Sequence, residues 1–157
     1  MRYLISLCLL GFSLNTLAEQ HSFLERQTDL QQVGQVAIER QKPVMLFFNA
    51  NYCRPCELLK QRALFAQLRF NQFPQGVQFI EVFIDSQQAL IDFYGEPISA
   101  EDFALFYNVA ELPTQVFVNG EGQVVAPPII NNGAYEFYGK LVNARIERAL
   151  SNMQQAE

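Results

Sequence analysis

The chain has 157 residues and is 50% hydrophobic, which is enough apolar material for one globular domain with a single core. Its formal net charge is -5 at pH 7. A nucleic-acid-binding face needs clustered Lys and Arg side chains, and the sequence contains no such cluster, so we predict no nucleic-acid partner. No internal repeat or low-complexity tract divides the chain.

Residues 1–18 have the pattern of an export signal. Arg2 supplies a short positive start, residues 3–14 form an apolar run, and Thr16-Leu17-Ala18 is typical of a cleavage site. The run is shorter than the roughly 20 residues that span a bilayer. We expect cleavage after Ala18 and a domain of residues 19–157 that is periplasmic or secreted, with no stable membrane insertion. The alternative is an uncleaved anchor.

Cleavage would remove Cys8 and leave Cys53 and Cys56 as the remaining cysteines. Leu7 is bulkier than the small residue that precedes a lipoprotein cysteine, so Cys8 is not interpreted as a lipid attachment site. A bridge between residues three apart closes almost no loop and adds little stability, so the pair is interpreted as functional. We expect His21 to be solvated. Structural zinc takes four Cys or His ligands, and after cleavage the chain offers three at most, so we predict no metal. We also predict no cofactor apart from the redox-active disulfide of the two cysteines.

A buried strand is predicted from Val44 to about Asn49. Five apolar residues in a row, 44–48, are long enough for a strand buried on both faces and too short for a core helix. Before this strand, apolar residues from Leu24 to Ile38 recur at near-helical spacing. They predict one amphipathic helix within residues 19–41 that ends before Pro43.

Cys53-Arg54-Pro55-Cys56 follows this strand and precedes a run of helix formers, residues 57–64. Two cysteines three apart at the start of a helix share one face, so their sulfurs can reach disulfide geometry. The free amides of the first turn and the helix dipole favour a Cys53 thiolate, and Arg54 adds positive charge. Pro55 suits the first turn because its missing N–H has no helical partner there. We infer that Cys53 attacks and Cys56 resolves the mixed disulfide.

At these residues the sequence resembles the thioredoxin superfamily, whose redox motif is Cys-x-x-Cys beside a βαβ pattern. The segments 42–45, Lys-Pro-Val-Met, and 112–114, Leu-Pro-Thr, are similar to those of secreted thioredoxin-like proteins and of the C-terminal periplasmic domain of the bacterial thiol:disulfide interchange membrane transporter. The resemblance covers about residues 30–150. It implies a thioredoxin fold, of α/β class, with a central mixed sheet flanked by helices.

The resemblance also implies a role for Leu112 and Pro113. Pro113 is expected to be cis and to lie against the Cys53 sulfur, which leaves the backbone of Leu112 free to pair with an extended substrate. The residues alone indicate only a proline at the start of a strand.

Three positions depart from the family pattern. Phe47 stands six residues before Cys53, where thioredoxins often carry a buried Asp, so the proton of Cys56 must go to another group or to water. Glu81 stands where cytosolic members have Lys, which makes it a candidate general base. The alternative is that Glu81 has no catalytic role and is a carboxylate that is either paired with other groups or exposed at the edge of the sheet. Tyr52 replaces the usual Trp and keeps an aromatic side chain beside the motif.

The middle of the chain predicts a second strand over residues 77–85, after a turn at 71–76. Residues 86–109 contain a short apolar segment, a Gly95-Glu96-Pro97 break and a helix from about Ala100, with Ser99 and Asp102 spaced as a capping box. This interval is longer than a plain thioredoxin needs and resembles the insertion of the thioredoxins associated with bacterial sulfur oxidation. It either shapes the choice of partner or is an ordinary surface elaboration.

The last third of the chain predicts a hairpin and a closing helix. Residues 115–118 form one strand, Asn119-Gly120 the turn, and residues 123–125 a returning strand that Pro127-Pro128 ends. The helix is predicted over residues 134–150, and Gly139 inside it should cost roughly 1 kcal/mol unless another group packs closely there. Its buried stripe is predicted to contain Phe137, Leu141 and Ala144 beside Tyr138, Val142 and Ile146.

These features predict an exported thiol:disulfide oxidoreductase that acts on protein thiols and disulfides. The positive charge of Arg54 favours the Cys53 thiolate, and so predicts a more oxidising Cys53–Cys56 couple than a neutral residue at position 54 would give. The resemblance to the transporter domain implies the opposite, a reductant that receives electrons from a membrane thiol transporter, and we favour the reductase. The alternatives are a disulfide oxidase or isomerase, and a non-catalytic thioredoxin-like binding module.

Overall fold

The computed structural model describes residues 24–131 and 133–156. The predicted leader, its cleavage site after Ala18 and the solvated His21 lie outside the described residues. The described part of the chain contains the strands β1 (Val44–Asn49), β2 (Gln78–Phe83), β3 (Leu90–Ile91), β4 (Pro97–Ile98), β5 (Thr114–Val118) and β6 (Val124–Ile130). Its helices are α1 (Leu30–Arg40), α2 (Arg54–Leu59), α3 (Phe65–Arg69), α4 (Ala100–Phe106) and α5 (Tyr135–Gln155), with a π-helical turn (Lys60–Leu64) that joins α2 to α3.

Four strands form the central sheet, in the order β2-β1-β5-β6. Strand β1 is parallel to β2 and antiparallel to β5, and β6 is antiparallel to β5. The two short strands β3 and β4 pair in a separate hairpin. The mixed sheet with helices around it confirms the predicted fold class.

Strand β1 is buried on both faces, and its side chains alternate between two halves of the core. Leu46 and Phe48 pack with residues of α1 and α4 on one face. Met45 and Phe47 pack on the other face, with residues of α2, the π turn and α5. None of the helices within 24–131 and 133–156 is both long and apolar enough to cross a membrane.

The first helix begins at Leu30, later than predicted. The Asp29 side chain caps it by accepting from the backbone N–H of Gln32 at 3.0 Å. Before this cap, Glu25 pairs with the edge of β2, where its N–H donates to the Phe79 carbonyl at 2.9 Å. A backbone paired to a sheet cannot also be helical, so the inclusion of Leu24 in the predicted helix is wrong.

Strand β6 continues through Pro127 and Pro128, so the prediction that they end it is wrong. The register of β6 on β5 shifts between Gln115 and Phe117, and the two prolines occupy this irregularity. Because β6 is the outer strand of the sheet, residues without an N–H are tolerated there.

Helix α5 buries a narrower stripe than predicted. Tyr138, Val142 and Ile146 are fully buried, as expected. Phe137, in contrast, is 60% exposed, and Ala144 is also exposed. The stripe that faces the sheet follows i, i+4 spacing from Tyr138, which turns the side chains of Phe137 and Ala144 towards solvent.

The insertion is tied into the core. Leu90 and Phe93 are buried with α1 and α4, and the backbone N–H of Ile91 donates to the Thr28 carbonyl at 2.7 Å. Ser99 caps α4, since its Oγ accepts from the N–H of Asp102 at 3.0 Å, and its hydroxyl donates to the Asp102 carboxylate at 2.7 Å. The insertion therefore contributes to the core as well as to the surface.

Gly34, in α1, is predicted to be a position where any side chain destabilises the fold. A methyl group on it would overlap the backbone carbonyl oxygen of Gly120, which has little freedom to move. We expect Gly34→Ala to lower the free energy of unfolding by about 2 kcal/mol, as measured by urea denaturation. Gly139→Ala is the matched control, because a methyl there meets only the end of the flexible Gln67 side chain and the substitution gains about 1 kcal/mol of helix propensity. Equal losses in both variants would contradict this prediction.

Candidate active site

The ends of the two parallel strands fix the loop that leads to the cysteines. Asn49, the last residue of β1, accepts from the N–H of Ala50 through Oδ1 at 2.8 Å. Asp85, just after β2, accepts from the backbone N–H of Asn51 at 3.0 Å and from its side-chain amide at 3.2 Å. Asp85 was not among the site residues predicted from the sequence. Its place at the end of the second predicted strand was the available signal, because the carboxyl ends of parallel neighbours share one edge of a sheet.

Cys53 and Cys56 form a disulfide at the start of α2, with their Cα atoms 5.3 Å apart. Cys53 is the N-cap residue, and its sulfur accepts from the backbone N–H of Cys56 at 3.3 Å. Cys53 is 7% exposed and Cys56 is fully buried. An incoming sulfur can therefore reach Cys53 and not Cys56.

The other predicted residues of the motif lie around the disulfide on the surface. Arg54 and Pro55 are the first two residues of α2, and both are exposed. The ring of Tyr52, directly before Cys53, belongs to a side chain that is 75% exposed. This surface presents one cation and one aromatic ring next to the accessible sulfur.

Leu112 and Pro113 precede β5. The Leu112-Pro113 peptide bond is cis, which confirms that expectation, and Pro113 is buried. Within the described residues, the N–H and C=O of Leu112 have no hydrogen-bond partner, while its side chain packs against the core cluster that contains both cysteines. The backbone of Leu112 therefore has an N–H and a C=O that no described residue pairs, directly before the cis-proline. The contact of Pro113 with the Cys53 sulfur stays a prediction.

Glu81 is a buried, ion-paired carboxylate on the face of the sheet that α2 covers. It lies opposite Phe47 in the register of β2 on β1 and is 7% exposed. Its Oε1 accepts from Lys60 Nζ at 2.6 Å and from Asn49 Nδ2 at 2.8 Å. Its Oε2 accepts from Arg26 Nε at 3.3 Å. Both oxygens therefore have donors, and the role of Glu81 as a base stays a prediction.

Lys60, at the start of the π turn, is buried at 5% exposure and contacts a second carboxylate, Glu57, at 2.5 Å. Its Nζ lies 5.8 Å from the centre of the Phe83 ring, and Arg26 Cζ lies 4.1 Å from the same ring. Two cations and two carboxylates thus balance the charge of this cluster, in which Lys60 and Glu81 are buried and Arg26 and Glu57 are exposed. Lys60 was not predicted as a site residue from the sequence, because a lysine in a run of helix formers has the pattern of a solvated residue.

Comparison with known proteins agrees with this geometry. The family model described as a thioredoxin-like domain matches residues 30–137. Thioredoxin O2 from Arabidopsis thaliana, in the oxidised state, is 18% identical with a TM-score of 0.52, over 79% of this chain and 96% of that chain. Fasciola hepatica thioredoxin is 19% identical with a TM-score of 0.53, over 78% and 99%. The DsbH oxidoreductase is 16% identical with a TM-score of 0.60, over 79% and 85%. A search of curated protein sequences gave no match.

The chain belongs to the thioredoxin-like domain family, because the family model covers more than half of it. The solved structures, at these identities, agree in fold. With the Cys53–Cys56 disulfide at the start of α2, the protein is a thiol-disulfide oxidoreductase. Both the resemblance and the enzyme class inferred from the sequence are confirmed.

Proposed function

We propose that this protein is an exported reductase, which transfers two electrons from the Cys53/Cys56 dithiol to disulfides of other exported proteins. The observation that carries the proposal is the pairing of one accessible and one fully buried sulfur at the start of a helix. This arrangement gives the two cysteines different tasks.

The accessible sulfur starts the reaction. The Cys53 thiolate attacks one sulfur of the substrate disulfide, the substrate S–S bond breaks, and the other substrate sulfur leaves with the electron pair. The N–H of Cys56, 3.3 Å from the Cys53 sulfur, and the positive charge of Arg54 stabilise that thiolate. Cys53 is then joined to the substrate in a mixed disulfide.

The buried sulfur completes the reaction. Cys56 loses its proton, and its thiolate attacks the Cys53 sulfur, so that the bond from Cys53 to the substrate breaks and the second substrate thiolate leaves. The protein is oxidised to the Cys53–Cys56 disulfide while the substrate disulfide is reduced to two thiols. The N–H and C=O of Leu112, which no described residue pairs, support pairing with an extended substrate segment beside Cys53 during both steps.

The test of this mechanism uses matched cysteine variants. The protein with dithiothreitol should reduce insulin faster than dithiothreitol alone. Cys56→Ser should capture protein substrates as mixed disulfides, because the resolving thiolate is gone, and Cys53→Ser should capture none. Non-reducing electrophoresis measures the capture. A non-catalytic binding module would give neither turnover nor captured partners.

The export and the reducing direction are proposed from residues 1–18 and from the resemblance to the transporter domain, with a membrane thiol transporter as the electron donor. The intact mass of exported protein should lack residues 1–18, and a mass that retains them would contradict cleavage after Ala18. The midpoint potential of the Cys53–Cys56 couple should lie near the thioredoxin value of about −270 mV. A potential near about −120 mV would instead identify an oxidase.

Glu81 is proposed as the group that accepts the proton of Cys56. It is the buried carboxylate on the face of the sheet that α2 covers, next to Phe47, where the family's usual Asp is absent. The alternative is a purely structural role, which its pairing with Lys60 favours.

Two variants separate these roles. Glu81→Gln should slow the resolution of a Cys53 mixed disulfide if the carboxylate is the base. Lys60→Met is the matched control, because it breaks the same ion pair and keeps the carboxylate, so resolution should not slow. Stopped-flow rates over a range of pH give the measurement, and an unchanged Glu81→Gln rate at every pH would assign Glu81 to structure alone.

A further inference from the structure

Gln115 is a fully buried side chain whose carboxamide has no partner. It is 0% exposed, and neither Nε2 nor Oε1 makes a hydrogen bond to any described residue. Buried polar atoms in folded proteins are nearly always paired, because an unpaired one destabilises the fold. An amide with both atoms unpaired therefore points to a function.

The strand register places this amide on the face of the sheet that carries the cysteines. Gln115 lies opposite Phe47 in β1 and opposite Ile129 in β6, and both belong to the core half that contains Cys53 and Cys56. Phe117, two residues along β5, points to the same half, whereas Val116 between them points to the other. Side chains alternate along a strand, so Gln115 points towards the layer that α2, the π turn and α5 cover.

Gln115 also lies at the end of its strand that is near the site. It follows Thr114, the first residue of β5, and comes two residues after Pro113. Phe47 separates it from Glu81 in a row that crosses three strands, Glu81–Phe47–Gln115. The carboxylate of Glu81 is held by Lys60 and Asn49, whereas the amide of Gln115 is free to bind another group.

We propose that Gln115 is a positioning residue for the resolving cysteine, an inference that rests on the thiol–disulfide exchange proposed above. Once the disulfide opens, Oε1 accepts from the S–H of the Cys56 thiol, and Nε2–H donates to the Cys56 thiolate after the proton leaves. In the disulfide the Cys56 sulfur is uncharged and has no hydrogen to donate, which explains why the amide is unpaired in this oxidised form. The hydrogen bond stabilises the thiolate that attacks the Cys53 sulfur and expels the substrate thiolate.

The test follows the two exchange steps separately with dithiobis(nitrobenzoate), a small aromatic disulfide. The reduced protein releases one coloured thiolate when Cys53 attacks the reagent and a second when Cys56 resolves the mixed disulfide. Cys56→Ser should release only the first, which assigns the second step. Gln115→Met, similar in volume and without donor or acceptor strength, should leave the first release unchanged and slow the second about tenfold, the effect of losing a hydrogen bond to a charged sulfur.

Stability provides the readout that separates this role from packing. Gln115→Met removes two unpaired buried polar atoms, so its melting temperature should equal or exceed that of the wild type. Tyr138→Phe is the matched control, because Tyr138 Oη is buried and unpaired in the same half of the core, on α5, which packs mainly on β6 and the π turn. Tyr138→Phe should resolve at the wild-type rate. Should Gln115→Met fail to fold, Gln115→Leu is measured instead.

The pH profile of the second release gives an independent check. Loss of the Nε2–H donor should move the midpoint of this profile to higher pH, since the thiolate is less stable. Gln115→Met leaves in place the charged and titratable groups of the surrounding elements, among them Arg26, Glu57, Lys60, Glu81, Tyr138 and Arg145. Burial raises the pKa of the Tyr138 phenol, so it stays neutral over this range.

Each outcome decides between the claims. A wild-type protein that releases no second thiolate, or a Cys56→Ser protein that releases two, would overturn the proposed exchange itself. A working wild type with wild-type resolution in Gln115→Met would overturn the role of Gln115 alone. Equal slowing in Tyr138→Phe would also overturn it, because the effect would then belong to the packing of the layer.

Discussion

The burial of β1 on both faces is the constraint on which the rest of the site depends. Helices cover both faces of β1, and the strand ends at Asn49, shortly before Cys53. The position of this strand end therefore sets the position of the cysteines. Because β2 is parallel to β1, Asp85 reaches the same edge and binds Asn51. Because β5 is antiparallel to β1, its first residue, Thr114, pairs with Phe48 and brings the cis-Pro113 segment to that edge.

The two faces of the sheet have different chemistry. The face under α1 and α4 is lined by apolar residues, including the aromatic group of Phe48, Phe103 and Tyr107. The face under α2 also contains an ion pair and an unpaired amide, in register on either side of Phe47. The charges of Glu81 and Lys60 are tolerated because each has a partner, whereas the amide of Gln115 is uncharged and can remain unpaired at a smaller loss of stability.

Sequence patterns predicted the structure correctly where interactions between residues close in the chain determine it. The apolar run of β1, the Ser99 cap of α4 and the start of the hairpin at Asn119 are short-range features, and the structure contains each of them. The errors have tertiary causes. Residues 127 and 128 stay in β6 because that strand is at the edge of the sheet, and residues 24–29 are not helical because Glu25 pairs with β2.

The sequence by itself determined the family, the fold class and the pair of reactive sulfurs, because a buried strand, a two-cysteine spacing and a helix follow one another within about twenty residues. Only the tertiary structure decided the polar contacts of the loop before the cysteines and of the sheet face under α2. Lys60 and Glu81 are 21 residues apart and Asn51 and Asp85 are 34 apart, so their contacts depend on strand register and not on spacing. The same holds for Gln115, because the face to which a strand residue points, and whether its polar atoms find partners there, is fixed only when the neighbouring strands and helices are in place.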